Sequence, residues 1–472
     1  MWTISNWLNR ACLLLAVAAV LTVPARAQRK VEARKNSTVP SWTSYDTRTL
    51  EALKGFKLKK TDPATSQYGG WKAVSYEATG FFRTQKVGDR WWIIDPEGHP
   101  YIFKGVTAFS VGHSDRQKKA LKENYSTMEG WAASETDHLR QLGFNGLGAW
   151  SAVEAVRGCG HPMPYTVIVS PMGRYHGQHL RRYGGKYLQH GWQNYRFDLA
   201  MVFDPEFDKF VEQELARVEA YKDDPWLIGY FTDNEIPWVN DALDRHLTLL
   251  AHDEPAYLAV RKWFDQRKGK GARPEDITQE DRDAFSAFYL ETYLSKVTAA
   301  LRKHDTNHLY LGCRFNQWKE ELHNKAMFEV AGRYMDIISV NHYQRWTPDM
   351  EEITNFEKWS GKPFIVTEFY TKGEDSDLPN TTGAGWNVRT QEDRGWFYQN
   401  ICLQLLESKC CVGWNWFKYM DNDPEDQTTD YSNRDSNKGM VKWNFEPYPE
   451  LLERMKQLND RTYRIIKYFD EK

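Results

Sequence analysis

The chain has 472 residues, 41% of them hydrophobic and 27% charged, with a net charge of −2 at neutral pH. That balance describes a globular protein with a large core and excludes a disordered chain. Lys and Arg form no long block, so a phosphate-tracking surface, and nucleic acid as a partner, are not expected. The 20 Trp, 25 Tyr and 23 Phe suit either an aromatic-rich core or the half-apolar faces of sugars, and composition does not choose between them.

The first residues read as an export signal. Arg10 precedes the apolar run ACLLLAVAAVLTV, and Ala25-Arg26-Ala27 supplies a small-residue cleavage site, so 1–27 is expected to be a signal peptide. The run is short for a membrane span, and Cys12 at its start does not suit a lipid anchor. A secreted or periplasmic protein with no membrane attachment follows. Five cysteines remain without a Cys-x-x-Cys pair, and mostly free, buried thiols are expected. Residues 28–70 are polar and basic and read as an N-terminal extension or linker, leaving 71–472 as the main domain.

From Trp71 the texture changes. RWWIID and PYIFKGV, joined by Asp95-Pro96-Glu97-Gly98, make a hairpin. Eight apolar runs then punctuate the chain: 101–109, 143–150, 165–171, 226–235, 308–315, 335–341, 363–370 and 412–419. Each is apolar along most of its length, as a strand covered on both faces should be. Helical stretches separate them: one opened by Asp204-Pro205, then 282–304, 349–359, 391–408 and 449–469. The pattern predicts an α/β fold, a (β/α)8 TIM barrel with an N-terminal extension and hairpin and long active-site loops. A doubly wound sheet is the rival, and no Gly-x-Gly-x-x-Gly loop supports it.

In such a barrel the chemistry lies where strands end. The fourth run, WLIGYFTDNE, delivers Asn234 and Glu235 there, and the seventh, PFIVTEFY, delivers Glu368. Two carboxyls among aromatic residues fit glycosidic cleavage, which needs one protonated acid and one ionised partner. A single strand-end Glu is more often a cap or ion-pair residue; two, at the fourth and seventh strands, favour catalysis.

These words carry a resemblance. Asn234-Glu235 after strand four and Glu368 after strand seven resemble the signature of glycoside hydrolase clan A. RWWIIDPEGHPYIFKGV, DPWLIGYFTDNE and PFIVTEFY, over roughly 75–460, resemble the β-agarase family. The resemblance implies a retaining double displacement on a β-linked, galactose-containing glycan. Glu368 is the nucleophile, Glu235 the acid/base, and Asn234 the donor to the hydroxyl beside the reacting carbon. It further implies that Tyr343 donates to the nucleophile, and that Trp416 or Trp414 lies as a floor under the sugar.

Some of these have plain alternatives. Tyr343 and the Trp pair are equally ordinary packing residues, and Trp414 and Trp416 share one strand face. His342 would bind a sugar hydroxyl or tune Glu235, or serve as a structural hydrogen-bonder. Arg314, charged within a covered run, needs a carboxylate partner, either catalytic or structural. Polar loops at 172–192 and 421–441 are expected to build the cleft. The run DNDPED lacks a calcium-loop register, and His176 with His179 would need further ligands, so neither metal nor cofactor is expected. Competing readings are a β-galactosidase or other exo-glycosidase, a non-catalytic sugar-binding barrel, and a metal-dependent barrel hydrolase.

Overall fold

The computed structural model describes residues 29–183, 195–316, 323–343, 345–429 and 433–472. The expected signal peptide lies outside them. The apolar runs become short strands, and Leu227–Thr232 and Cys411–Trp416 are buried at every position. Nine strands form one all-parallel sheet. Its order is Leu309–Tyr310, Leu227–Thr232, Tyr165–Val169, Gly146–Leu147, Phe103–Val106, Cys411–Trp416, Phe364–Glu368, Ile338–Asn341 and Phe315–Asn316. At Gly229 a side chain would meet the Leu309 carbonyl oxygen at 2.2 Å, so only glycine lets those strands approach.

The α/β class and parallel order are as expected, but the continuous ring of eight is not what the ladder records. The run 308–315 forms two strands, Leu309–Tyr310 and Phe315–Asn316, which are the two edges of the sheet. Between them the backbone turns left-handed at Gly312 (φ 79°) and Arg314 (φ 52°), which interrupts strand pairing. Backbone bonds still cross here: Leu311 N to Tyr230 O at 2.8 Å on one side, Asp336 N to Tyr310 O at 2.9 Å on the other.

The core splits in two across the sheet, and a bulge at Ile228 leaves Leu227 and Tyr230 on one side and Ile228 and Phe231 on the other. Tyr230 faces the helices, where Leu290, Leu294 and Val297 of helix Gln279–His304 lie. Ile228, Phe231, Phe103, Ile365 and Val412 pack together on the other face. Phe82 and Ile93, beside and within the antiparallel hairpin strands Arg83–Val87 and Arg90–Ile94, join that second cluster. They cover the strand ends opposite Glu235 and Glu368.

Helix starts follow local caps where the sequence supplies them. Asp349 accepts from Glu352 N at 3.1 Å, and Thr390 with Asp393 forms a capping box. Elsewhere the cap is tertiary. The helix expected over 449–469 is two, Pro449–Asn459 and Thr462–Asp470, and the second begins where distant Asp62 accepts from Tyr463 N and Arg464 N, both at 2.9 Å. The helix expected from Asp204-Pro205 is regular only from Phe207, although Asp204 Oδ1 accepts from Glu206 N at 2.9 Å as an N-cap would. The expected cleft loop at 172–192 begins as helix Pro171–Tyr183, and residues 184–194 lie outside the described ones.

Residues 29–70 are bound to the body rather than strung before it. Arg29–Arg34 pairs antiparallel with both Thr43–Thr47 and Trp386–Val388, and Val31, Ala33, Thr47 and Leu50 are buried. The polar composition misleads because alternate residues face the solvent. The five described cysteines are free, four of them buried and Cys159 half-buried. Among the described residues, no helix is long and apolar enough to cross a membrane.

Tyr45 locks this segment down, stacking 5.5 Å from Trp346 and meeting the edge of Trp386 at 5.1 Å. Tyr45→Ala is expected to cost about 2–3 kcal/mol. Urea denaturation measures this, and an unchanged midpoint would mean that the segment is only loosely attached.

Candidate active site

Glu235 stands three residues beyond strand Leu227–Thr232, on a turn left-handed at both Asp233 (φ 59°) and Glu235 (φ 49°). Neither residue is glycine, so the turn is strained and must be held. Asp233 holds it. Its buried carboxylate accepts from Met172 N at 2.9 Å, Gly173 N at 2.8 Å and Tyr293 Oη at 2.7 Å, capping helix Pro171–Tyr183. Burial pushes the Asp233 carboxyl up to about 6 against those donors.

Glu368 is the last residue of strand Phe364–Glu368 and is 4% exposed. One oxygen accepts from Arg314 Nη2 at 2.7 Å and the other from the Tyr343 hydroxyl. Arg314 has no solvent contact. Its Nη1 donates to Asn234 Oδ1 at 2.8 Å, and its guanidinium lies 4.3 Å from the centroid of the Trp150 ring. This Arg–carboxylate pair answers the question raised by a charge in a covered run: the partner is Glu368.

Glu235, 7% exposed, receives neutral donors among the described residues: Asn316 Nδ2 at 2.7 Å on one oxygen and Asn341 Nδ2 on the other. Asn341 also donates to Asn234 Oδ1 at 3.2 Å, so a chain of side chains, Asn341–Asn234–Arg314, ties one glutamate to the other. Burial first, and then the Glu368 charge, push the Glu235 carboxyl well above the ordinary carboxylate range. The two carboxyls therefore have opposite surroundings, a guanidinium and a phenol at one, uncharged amides at the other.

The solved structure of BpGH50 is 31% identical to this chain, with a TM-score of 0.81 over 94% of this chain and 96% of its own. The chain belongs to the GH50 family of glycoside hydrolases. Beta-agarase B of a Vibrio species (strain JT0107) is 26% identical over 526 residues, which is 88% of this chain and 52% of that protein. The chain thus spans about half the length of this curated relative. Structures of the agarase AgWH50C (22% identical, TM-score 0.70) and of an exo-beta-agarase (21% identical, TM-score 0.70) share its fold. No family model matches the chain. The resemblance to β-agarases read from the sequence holds at the level of this family; the wider clan A placement gains nothing from it.

In this GH50 protein Asn234, Glu235, Arg314, Tyr343 and Glu368 converge as expected. His342 is close by in sequence, yet its Nε2 faces the Arg345 carbonyl oxygen at 3.1 Å, and among the described residues no hydrogen bond joins it to Glu235. The two tryptophans are a correction. Trp414 and Trp416 are wholly buried, donating to Tyr398 Oη at 2.7 Å and to the Lys438 carbonyl oxygen at 3.0 Å. Their shared strand face packs toward helix Gln391–Glu407, so neither can underlie a sugar. Among the described residues, the more exposed aromatic rings beside the site include Trp150, 40% exposed, and the half-buried Phe417, 6.2 Å apart. Trp150 ended the second predicted strand and could have been read as Glu235 was. Asn316 and Asn341 carried no signal beyond their place at strand ends.

The loop at 421–441, with 430–432 outside the described residues, folds over its own acids. Asp421 accepts from Lys438 N at 2.8 Å, and Asp423 from Ser114 Oγ at 2.7 Å.

Two outcomes are expected. Tyr343→Phe, which removes one donor to Glu368, should lower kcat about 100-fold with little change in melting temperature; a kcat near wild type would show the hydroxyl to be dispensable. Burial holds the His342 ring neutral down to about 4, whereas the unfolded ring takes up a proton near 6.5, so unfolding binds a proton between those values. Stability contributed here is present above pH 6.5 and falls as pH drops toward 4, by up to about 3 kcal/mol. Urea midpoints of His342→Gln should show a shallower acid slope than wild type.

Proposed function

We propose that this GH50 protein is an exported, retaining β-glycoside hydrolase of agarase type, acting on a β-linked, galactose-containing glycan. The asymmetry of the two carboxyls carries the reading. Retaining hydrolysis needs a charged nucleophile and a protonated acid side by side. Arg314 and the Tyr343 hydroxyl favour charge on Glu368, and burial beside that charge favours a proton on Glu235. The substrate class rests on the relatives named as agarases.

In the first step a Glu368 oxygen bonds to the anomeric carbon while the glycosidic C–O bond breaks and the Glu235 proton passes to the departing oxygen. Esterification removes the Glu368 charge, and with it one of the two causes that hold the Glu235 proton. Glu235 then accepts a proton from water, whose oxygen displaces Glu368. Asn234 would donate to the hydroxyl beside the anomeric carbon, an interaction that strengthens as positive charge develops there. His342 remains a candidate sugar contact.

We read Leu309–Tyr310 and Phe315–Asn316 as one fifth strand broken around Arg314, which closes the sheet into a (β/α)8 barrel with the site at its C-terminal mouth. The catalytic domain then spans 71–472, braced by the N-terminal segment once 1–27 is removed.

A panel of agarose oligosaccharides, aryl β-galactosides and other β-glycans tests the assignment. Wild type should cleave a galactose-containing substrate with retained anomeric configuration by NMR, and Glu368→Gln should lose more than about 1,000-fold in kcat. Azide should restore turnover to Glu235→Ala on an activated aryl glycoside. Inverted product, or full turnover by either variant, would overturn the mechanism. The kcat/KM profile should keep its alkaline limb above the ordinary carboxylate range, because the acid must remain protonated.

A further inference from the structure

Both oxygens of the Glu235 carboxyl are met by side-chain amides, Asn316 Nδ2 at 2.7 Å and Asn341 Nδ2. The two asparagines are register partners on neighbouring parallel strands, Phe315–Asn316 and Ile338–Asn341. The pleat therefore aims both side chains the same way. Asn341 is fixed from behind, its Oδ1 accepting from Thr367 Oγ1 at 2.7 Å. Among the described residues, the other titratable and charged groups that interact with Glu235 are Glu368, Arg314 and the Tyr343 phenol.

A carboxyl gripped at both oxygens cannot rotate about its last bond without breaking a hydrogen bond. That matters for an acid that must present its proton along one direction to a leaving oxygen. Each amide N–H also favours the charged over the neutral carboxyl. The grip opposes burial and the Glu368 charge, which alone would leave Glu235 too reluctant to ionise.

We propose that Asn316 is a positioning residue for the acid/base: with Asn341 it fixes the orientation of the Glu235 carboxyl and stabilises the ionised form that must activate water in the second step. The inference rests on the role proposed above for Glu235. Asn316 needs no contact with sugar to act in this way.

The test titrates Glu235 directly, by the carboxyl 13C shift in glutamate-labelled full-length protein, assigned by its loss in Glu235→Gln. In Asn316→Ala the midpoint should rise by about one pH unit, and the alkaline limb of kcat/KM should move with it. On the acid side kcat should fall about tenfold while KM changes less than about twofold. If the alanine variant does not fold, Asn316→Ser should give the same shift in smaller measure. An unshifted midpoint in a folded variant, or a raised KM with kcat intact, overturns this proposal alone. Full activity of Glu235→Gln removes the acid/base assignment, and this proposal with it.

Discussion

A guanidinium sealed from water joins the two halves of the site. Arg314 can be there only because it answers to Glu368 at one nitrogen and to Asn234 at another. An unpaired charge in that position would be untenable, and removing either partner of a buried pair costs about 3–5 kcal/mol. The break in the sheet follows from the same residue. The backbone turns left-handed at Arg314, the ladder lapses between Tyr310 and Phe315, and the side chain is aimed across the strand ends. Regular pairing has been given up where a charge is needed.

Around that point every support is tertiary. Asp233 steadies the turn bearing Glu235 through helix Pro171–Tyr183, while Trp386 Nε1 holds the Tyr343 carbonyl oxygen at 3.1 Å, behind the hydroxyl that serves Glu368. The glutamates differ in their neighbours rather than in depth, both being nearly buried. It is the guanidinium beside Glu368 that makes the surroundings of the pair unequal.

What the sequence revealed, it revealed through period and punctuation. Buried strands such as Leu227–Thr232 and Phe364–Glu368 announced themselves by unbroken apolar runs, and the polar residues ending them led to Asn234, Glu235 and Glu368. Arg314 was legible as an anomaly, a charge in a covered run. The errors have separate physical causes. Trp414 and Trp416 were known to lie on one face, but not on which, because alternation gives parity and not direction. The cap that Asp62 gives Tyr463 and Arg464, and the one Asp233 gives Met172 and Gly173, come from remote residues that no local pattern encodes. The segment 29–70 looked like a linker because an outer strand needs only every second residue to be apolar.

That outer strand has a bearing on biogenesis. Arg29–Arg34 and its partner Trp386–Val388 are separated by about 350 residues of chain. The ribosome must add about 350 residues after the first strand before the brace behind Tyr343 can form. Pairings so distant along the chain are slow to nucleate. A nascent or truncated molecule would therefore carry both glutamates and still lack the wall that orients one of them, so competence arrives late and all at once.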